Sequence, residues 1–169
     1  MPSTRGRNSL ESSQKTAGRS VDAKDVTAMI RILIADDFKP FRIFVTSLLS
    51  ANGYVLCEAS DGLEALGKAQ EMPPDLILLD IGLPKLNGLD VARRLRELVP
   101  SSKIVFFTQE NSAEVVQEAL DLGAWGYVAK SRARADLLAA LTTALQGRRF
   151  VSSGLRHDRL RRAWQGHVA

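Results

Sequence analysis

Five side chains able to do chemistry fall directly after apolar runs. Asp36 and Asp37 follow residues 30–35, Asp80 follows 76–79, Thr108 follows 103–107 and Lys130 follows 125–129. Each alone has an ordinary explanation: Asp-Asp after a strand marks a turn or helix start, Thr108 caps the next helix, and Lys130 is solvated. Together they form a more demanding set. If the runs are parallel strands, all five groups gather at one rim, and three neighbouring carboxylates repel one another more than one lysine can offset. A hard divalent cation with oxygen ligands resolves the conflict, and Mg²⁺ needs only one or two carboxylates plus waters and a phosphate. Beside such an ion an aspartate is a plausible phosphoryl acceptor. The cation and lysine would stabilise the equatorial oxygens in transfer, and the threonine hydroxyl would hydrogen-bond the product.

The elements that must position these groups alternate regularly. Residues 30–35 read as a strand, and Pro40 in a first turn opens a helix over 41–51 with Phe41, Val45, Leu48 and Leu49 on one face, stopped by Asn52-Gly53. Residues 54–59 form the second strand, which brings nothing obvious to the rim. Asp61 with Glu64 makes a capping-box-like start for a helix through Leu63, Leu66 and Ala69. Leu76 to Leu79, entered through Pro73-Pro74-Asp75, is four large aliphatic residues in a row, as a strand buried on both faces requires. A helix over 88–99 turns Leu89, Ala92 and Leu95 inward and Arg93, Arg94 and Arg96 outward. Residues 103–107 form the fourth strand. Asn111 and Glu114 cap a helix carrying Val115, Val116, Ala119 and Leu120, residues 125–129 form the fifth strand, and a helix over 134–146 carries Leu137, Leu138, Leu141 and Leu145.

Strands alternating with helices imply a parallel sheet covered on both faces. Right-handed crossovers in so short a series predict a flavodoxin-like (βα)5 three-layer α/β sandwich of strand order 2-1-3-4-5, whose chemistry lies at the carboxyl ends of the strands.

Composition bounds the remainder. At 45% hydrophobic and 25% charged residues in a chain of 169, the protein is an ordinary globular domain with extensions. No apolar run approaches a membrane span, and the Ser- and Arg-rich start lacks the apolar segment of a signal peptide. A cytoplasmic location and no membrane partner are expected. The single cysteine, Cys57, sits in an apolar alternation and reads as a small core residue. Residues 1–28 are poor in large apolar side chains and read as a disordered extension, leaving 29–147 as the domain. From residue 148 onward six arginines face one acid, Asp158, so residues 148–169 read as a basic tail, with Leu155, Leu160 and Trp164 able to line a short helix.

The stretch from about residue 30 to 146 resembles the receiver domain of two-component response regulators. The marks are Ile-Leu-Ile-Ala-Asp36-Asp37, Leu-Leu-Asp80-Ile-Gly-Leu-Pro84-Lys-Leu-Asn-Gly88, Phe-Phe-Thr108 and Gly-Ala-Trp-Gly-Tyr127-Val-Ala-Lys130. The resemblance implies that Asp80 accepts phosphate from a sensor histidine kinase or phosphotransfer protein. It implies Mg²⁺ held directly by Asp37, Asp80 and the Gly82 backbone carbonyl, with Asp36 acting through a water. Thr108 and Lys130 would contact the phosphoryl group, and Tyr127 would be the aromatic switch that turns inward when Thr108 moves. Such a protein is a signalling switch and not an enzyme beyond Mg²⁺-dependent self-phosphorylation and self-dephosphorylation.

Ser131 follows Lys130 where many receivers carry proline, a feature of receivers joined to LuxR-type output domains, and Gly147-Arg-Arg-Phe-Val-Ser resembles the end of those receivers. The residues beyond are too few for a helix-turn-helix, so nucleic acid is not the expected partner. The expected output is contact with another, unknown protein or a homodimer. Transcriptional action through the basic tail and a phosphorylation-independent interaction module are the alternatives. Trp125, two residues before Tyr127, is expected on the same face of an edge strand, where it either marks a docking or dimer surface or lays its ring over neighbouring helix stems. A flavin module is disfavoured because Asp36-Asp37 would repel a phosphate, and a haloacid-dehalogenase-like phosphatase because no second acid follows Asp80 at Ile81-Gly82.

Overall fold

A computed structural model describes residues 29–153. The expectations for residues 1–28 and for the tail residues Leu155, Leu160 and Trp164 lie outside them. The strands are β1 (Arg31–Ala35), β2 (Val55–Ala59), β3 (Leu76–Leu79), β4 (Lys103–Thr108), β5 (Gly126–Ala129) and β6 (Phe150–Val151). The helices are α1 (Lys39–Ser50), α2 (Gly62–Glu71), α3 (Gly88–Leu98), α4 (Ala113–Asp121) and α5 (Ala133–Leu145), with a 3₁₀ turn at Lys130–Arg132 before α5.

All strand pairs are parallel, in the order β2-β1-β3-β4-β5-β6. The expected order of five strands is present, with a sixth added beyond residue 147. Phe150 and Val151 pair with Gly126 and Tyr127, and the Ser152 N–H donates to the Tyr127 carbonyl. β3 is buried at every position. One apolar cluster joins alternate strand residues to α2, α3 and α4; the other joins the remaining ones to α1 and α5, giving the three layers. The helices α1, α4 and α5 are each followed by a glycine of positive φ, namely Gly53, Gly123 and Gly147. At that backbone geometry a Cβ is costly, so glycine ends the helix cleanly.

Several side chains lie elsewhere than expected. Leu63 is exposed; α2 buries Gly62, Ala65, Leu66 and Ala69 instead. Cys57 is exposed, because β2 is an edge strand whose residues alternate between outside and partial cover. Trp125 packs with the α1/α5 cluster while Tyr127 packs with the other. Trp125 stands before β5 begins, so strand alternation does not govern it, and its ring lies under the Lys103 ammonium, 5.0 Å from the centroid. β6 covers β5, so Trp125 does not border a free edge. Neither Asn111 nor Glu114 caps α4: its start is Ser112, and one Glu110 carboxylate oxygen accepts the N–H groups of Asn111 and Ser112, both at 2.9 Å. Those two backbone bonds hold the Glu110 carboxyl below its usual range. Arg93 points outward as expected, and there it pairs with Asp90 on its own helix and with Glu118 on α4.

Candidate functional site

The ends of β1, β3, β4 and β5 deliver the five groups to one rim. Ligand oxygens of Asp36, Asp37 and Asp80 all lie within 4.8 Å of one another. Asp36 and Asp80 are buried and Asp37 is exposed. Asp37, Asp80, Gly82, Thr108 and Lys130 line one open cleft of about 350 Å³, together with Phe38, Ile81, Gln109 and Glu110.

Lys130 is the buried cation of the site. Its ammonium lies 2.6 Å from Asp80 Oδ2 and 2.6 Å from Asp36 Oδ2. Burial pulls the Lys130 pKa down, but bonds to the two carboxylates outweigh it and hold the ammonium above the usual lysine range. The ammonium also has an apolar cradle absent from the sequence expectations: it stands 4.9 Å from the Phe41 ring centroid and 5.8 Å from that of Phe107. Those rings meet edge to face, and a cation over an aromatic face is attracted by the ring quadrupole. The signal lay in Pro40, which starts α1 so soon after Asp37 that its first turn overhangs the rim.

Asp36 is held hard. Its N–H donates to the Ala59 carbonyl at 3.0 Å, and its Oδ1 accepts the Phe38 N–H at 2.9 Å. Burial raises its pKa in spite of Lys130. Its Oδ2 is buried and has the Lys130 ammonium beside it, an ammonium it shares with Asp80. Asp80 Oδ1 accepts the Gly82 N–H at 3.2 Å, which turns the following loop back over the acid. That loop packs tightly: a Cβ on Gly88 would meet the Asp80 carbonyl oxygen at 2.1 Å, and the Gly88 N–H donates to the Ile81 carbonyl.

Three carboxylates within reach of one another, two of them buried and sharing a single lysine ammonium, fit a hard divalent cation such as Mg²⁺. Thr108 is buried, and its Oγ1 accepts the Glu110 N–H at 3.2 Å. Tyr127 is fully buried and already turned inward, donating its hydroxyl to the Glu110 carbonyl at 2.6 Å. No described peptide bond is cis, so Lys130–Ser131 is trans. β2 was expected to bring nothing to the rim, yet its Glu58 holds Arg42, which donates to the Asp36 carbonyl.

Comparison with known proteins points the same way. Residues 32–142 match the response regulator receiver domain family. The chain is 40% identical over 126 residues to the nitrate/nitrite response regulator protein NarL of Escherichia coli, covering 73% of this chain and 58% of that protein. It is 36% identical to the transcriptional activator protein ExaE of Pseudomonas putida, covering 73% and 59%. The chain therefore spans less than two thirds of the length of these relatives. Among solved structures, a LuxR-family two-component response regulator from Aurantimonas superposes with a TM-score of 0.73 at 30% identity, over 80% of this chain and 99% of that one. A CheY-like receiver domain protein from Methanospirillum hungatei gives 0.68 at 29% identity, over 71% and 96%.

Proposed function

The chain belongs to the response regulator receiver domain family, and on that footing we propose that Asp80 accepts a phosphoryl group from a sensor histidine kinase or a phosphotransfer protein. The observation that carries this is the state of the Asp80 carboxylate: buried at the end of the central strand, with one oxygen on Lys130 and the other on the Gly82 N–H. An Asp80 oxygen attacks phosphorus, the donor nitrogen leaves, and an acyl phosphate results. Lys130 stands where charge develops on the transferring oxygens. Asp37, Asp80 and the Gly82 carbonyl would hold Mg²⁺, with Asp36 acting through water. The ion would supply further compensation of that charge. Thr108 exchanges its bond with the Glu110 N–H for the phosphoryl group, which loosens the Glu110 segment and lets Tyr127 report the change. Self-phosphorylation from small donors and self-dephosphorylation by water use the same groups.

The output is contact with another protein or self-association, in the cytoplasm; among the described residues no helix is long and apolar enough to cross a membrane. Residues 29–147 with β6 act as the receiver, and residues 1–28 and the basic tail are accessory. The name of the Pseudomonas putida relative favours a second reading, transcriptional action through the basic tail. Salt-dependent duplex binding that is lost on truncation after Ser153 would support it. Truncation after Phe150 would cut β6 instead.

The test of the first reading is incubation of wild type and Asp80→Asn with a small phosphodonor such as acetyl phosphate, with and without Mg²⁺. Wild type should gain one acid-stable, base-labile phosphoryl group only with Mg²⁺, and Asp80→Asn none. Labelling retained in Asp80→Asn overturns the assignment.

A further inference from the structure

Asp37 presents a problem the cation site must solve. Its carboxylate is exposed and has no hydrogen bond or ion pair among the described residues, yet it lies within 4.8 Å of the other two acids. Asp36 is placed by its own side-chain bonds and Asp80 by Lys130 and Gly82. Asp37 is placed by its backbone alone. The peptide that joins it to Asp36 is therefore the element that aims it.

That peptide is held from α1. Arg42 Nη1 donates to the Asp36 carbonyl at 2.8 Å, and Arg42 Nε donates to Glu58 Oε2 on β2 at 3.0 Å. Glu58 is itself steadied, its Oε1 accepting the Thr46 hydroxyl at 2.9 Å. The Arg42 side chain is 14% exposed, so solvent screens it little. A guanidinium offers donors in a fixed planar fork, so anchoring Nε on Glu58 determines where Nη1 points. The result is a strut from the sheet edge to the peptide between the two acids.

We infer that Arg42 is a positioning residue for the cation site, aiming the Asp37 carboxylate by fixing the Asp36 peptide, with Glu58 as its anchor. This rests on reading Asp36, Asp37 and Asp80 as a Mg²⁺ site. Partners that orient ligands without touching the metal commonly change metal affinity by about 10–100-fold when removed.

The experiment titrates Mg²⁺ alone into the full chain, following amide resonances of the acidic turn, for wild type, Arg42→Met, Arg42→Lys and Glu58→Ala. Arg42→Met should bind Mg²⁺ at least about tenfold more weakly, about 1.4 kcal/mol. Arg42→Lys should recover part of that loss, since one donor can still reach the carbonyl, and Glu58→Ala should weaken binding by about threefold or more. A purely structural role would lower the melting temperature without changing Mg²⁺ affinity. A folded Arg42→Met with affinity within about twofold of wild type overturns the inference. If Arg42→Met does not fold, Glu58→Ala decides, and wild-type affinity there overturns it. If wild type itself binds no Mg²⁺, the site reading fails first.

Discussion

Thr108 and Tyr127 grip opposite sides of one residue. The threonine hydroxyl oxygen accepts the Glu110 N–H, and the tyrosine hydroxyl donates to the Glu110 carbonyl. Thr108 lines the cleft and Tyr127 lies in the core against Phe106, so the β4–α4 segment is held between the carboxyl ends of the strands and the interior of the sheet. Glu110 also accepts the N–H groups that open α4, which extends the coupling to that helix. A change in what Thr108 binds therefore has a short route to α4 through bonds that must be exchanged.

Tyr127→Phe should keep the core packed and release the Glu110 carbonyl, costing about 1 kcal/mol in stability. Hydrogen exchange should quicken at residues 109–113 with little change in β5. The pH dependence has a definite sign. Burial raises the Tyr127 pKa above the usual phenol range, with Glu110 adding to it. The unfolded chain therefore releases this proton first, and stability present below pH about 10 declines as pH rises further. The variant should show a shallower alkaline decline in melting temperature. Identical alkaline limbs would mean that the phenol is not protected by folding.

The carboxyl ends of the strands were legible because four of them end a continuous apolar run with a polar residue, and parallel strands admit only one common rim. The residues that tune the rim were harder to find. Phe41 reads as an apolar-face position of an amphipathic helix and nothing in the sequence singles out Arg42; only the docking of α1 brings one to Lys130 and the other to Asp36. Cys57 was misplaced because an edge strand needs no second buried face. Trp125 stands one residue before β5 begins, where strand alternation no longer fixes the facing of a side chain. β6 is two residues long, too short to carry a periodic signal.

Lys130→Met should expose what the ammonium compensates. Removing it leaves Asp36 and Asp80 side by side in a buried site, a loss of about 3–5 kcal/mol for a broken buried pair. Melting in Mg²⁺-free buffer should show the full loss. Millimolar Mg²⁺ should then raise the melting temperature of the variant more than that of wild type, because the ion takes over the compensation. Equal gains in both would show that the lysine and the cation do not share this role.

Gly88→Ala and Gly67→Ala should move stability in opposite directions. At Gly88 a Cβ would stand 2.1 Å from the Asp80 carbonyl oxygen, so the loop after β3 must shift, costing about 1–3 kcal/mol and slowing phosphorylation. At Gly67, in mid-α2, a Cβ meets nothing within 4 Å. Alanine there should gain about 0.5–1 kcal/mol from helix propensity alone, with phosphorylation unchanged. Denaturant melts of the pair check both signs in one experiment.

Glu64 should set part of the acid limit of the fold. Its carboxylate accepts bonds from Lys68 and from the N–H and hydroxyl of Ser60, and these depress its pKa to about 2. The reciprocal half of the capping box thus reaches Ser60, while Asp61 accepts the Glu64 N–H at the start of α2. A depressed carboxylate contributes stability that is present above its unfolded pKa, about 4.3, and is lost as pH falls through that range toward 2. The side chain is 34% exposed, so solvent screens the pair and the contribution is modest. Glu64→Gln should melt lower than wild type at pH 7, and its melting temperature should fall less between pH about 4.3 and about 2. Parallel acid limbs in the two proteins would show that this carboxylate titrates alike in the folded and unfolded chain.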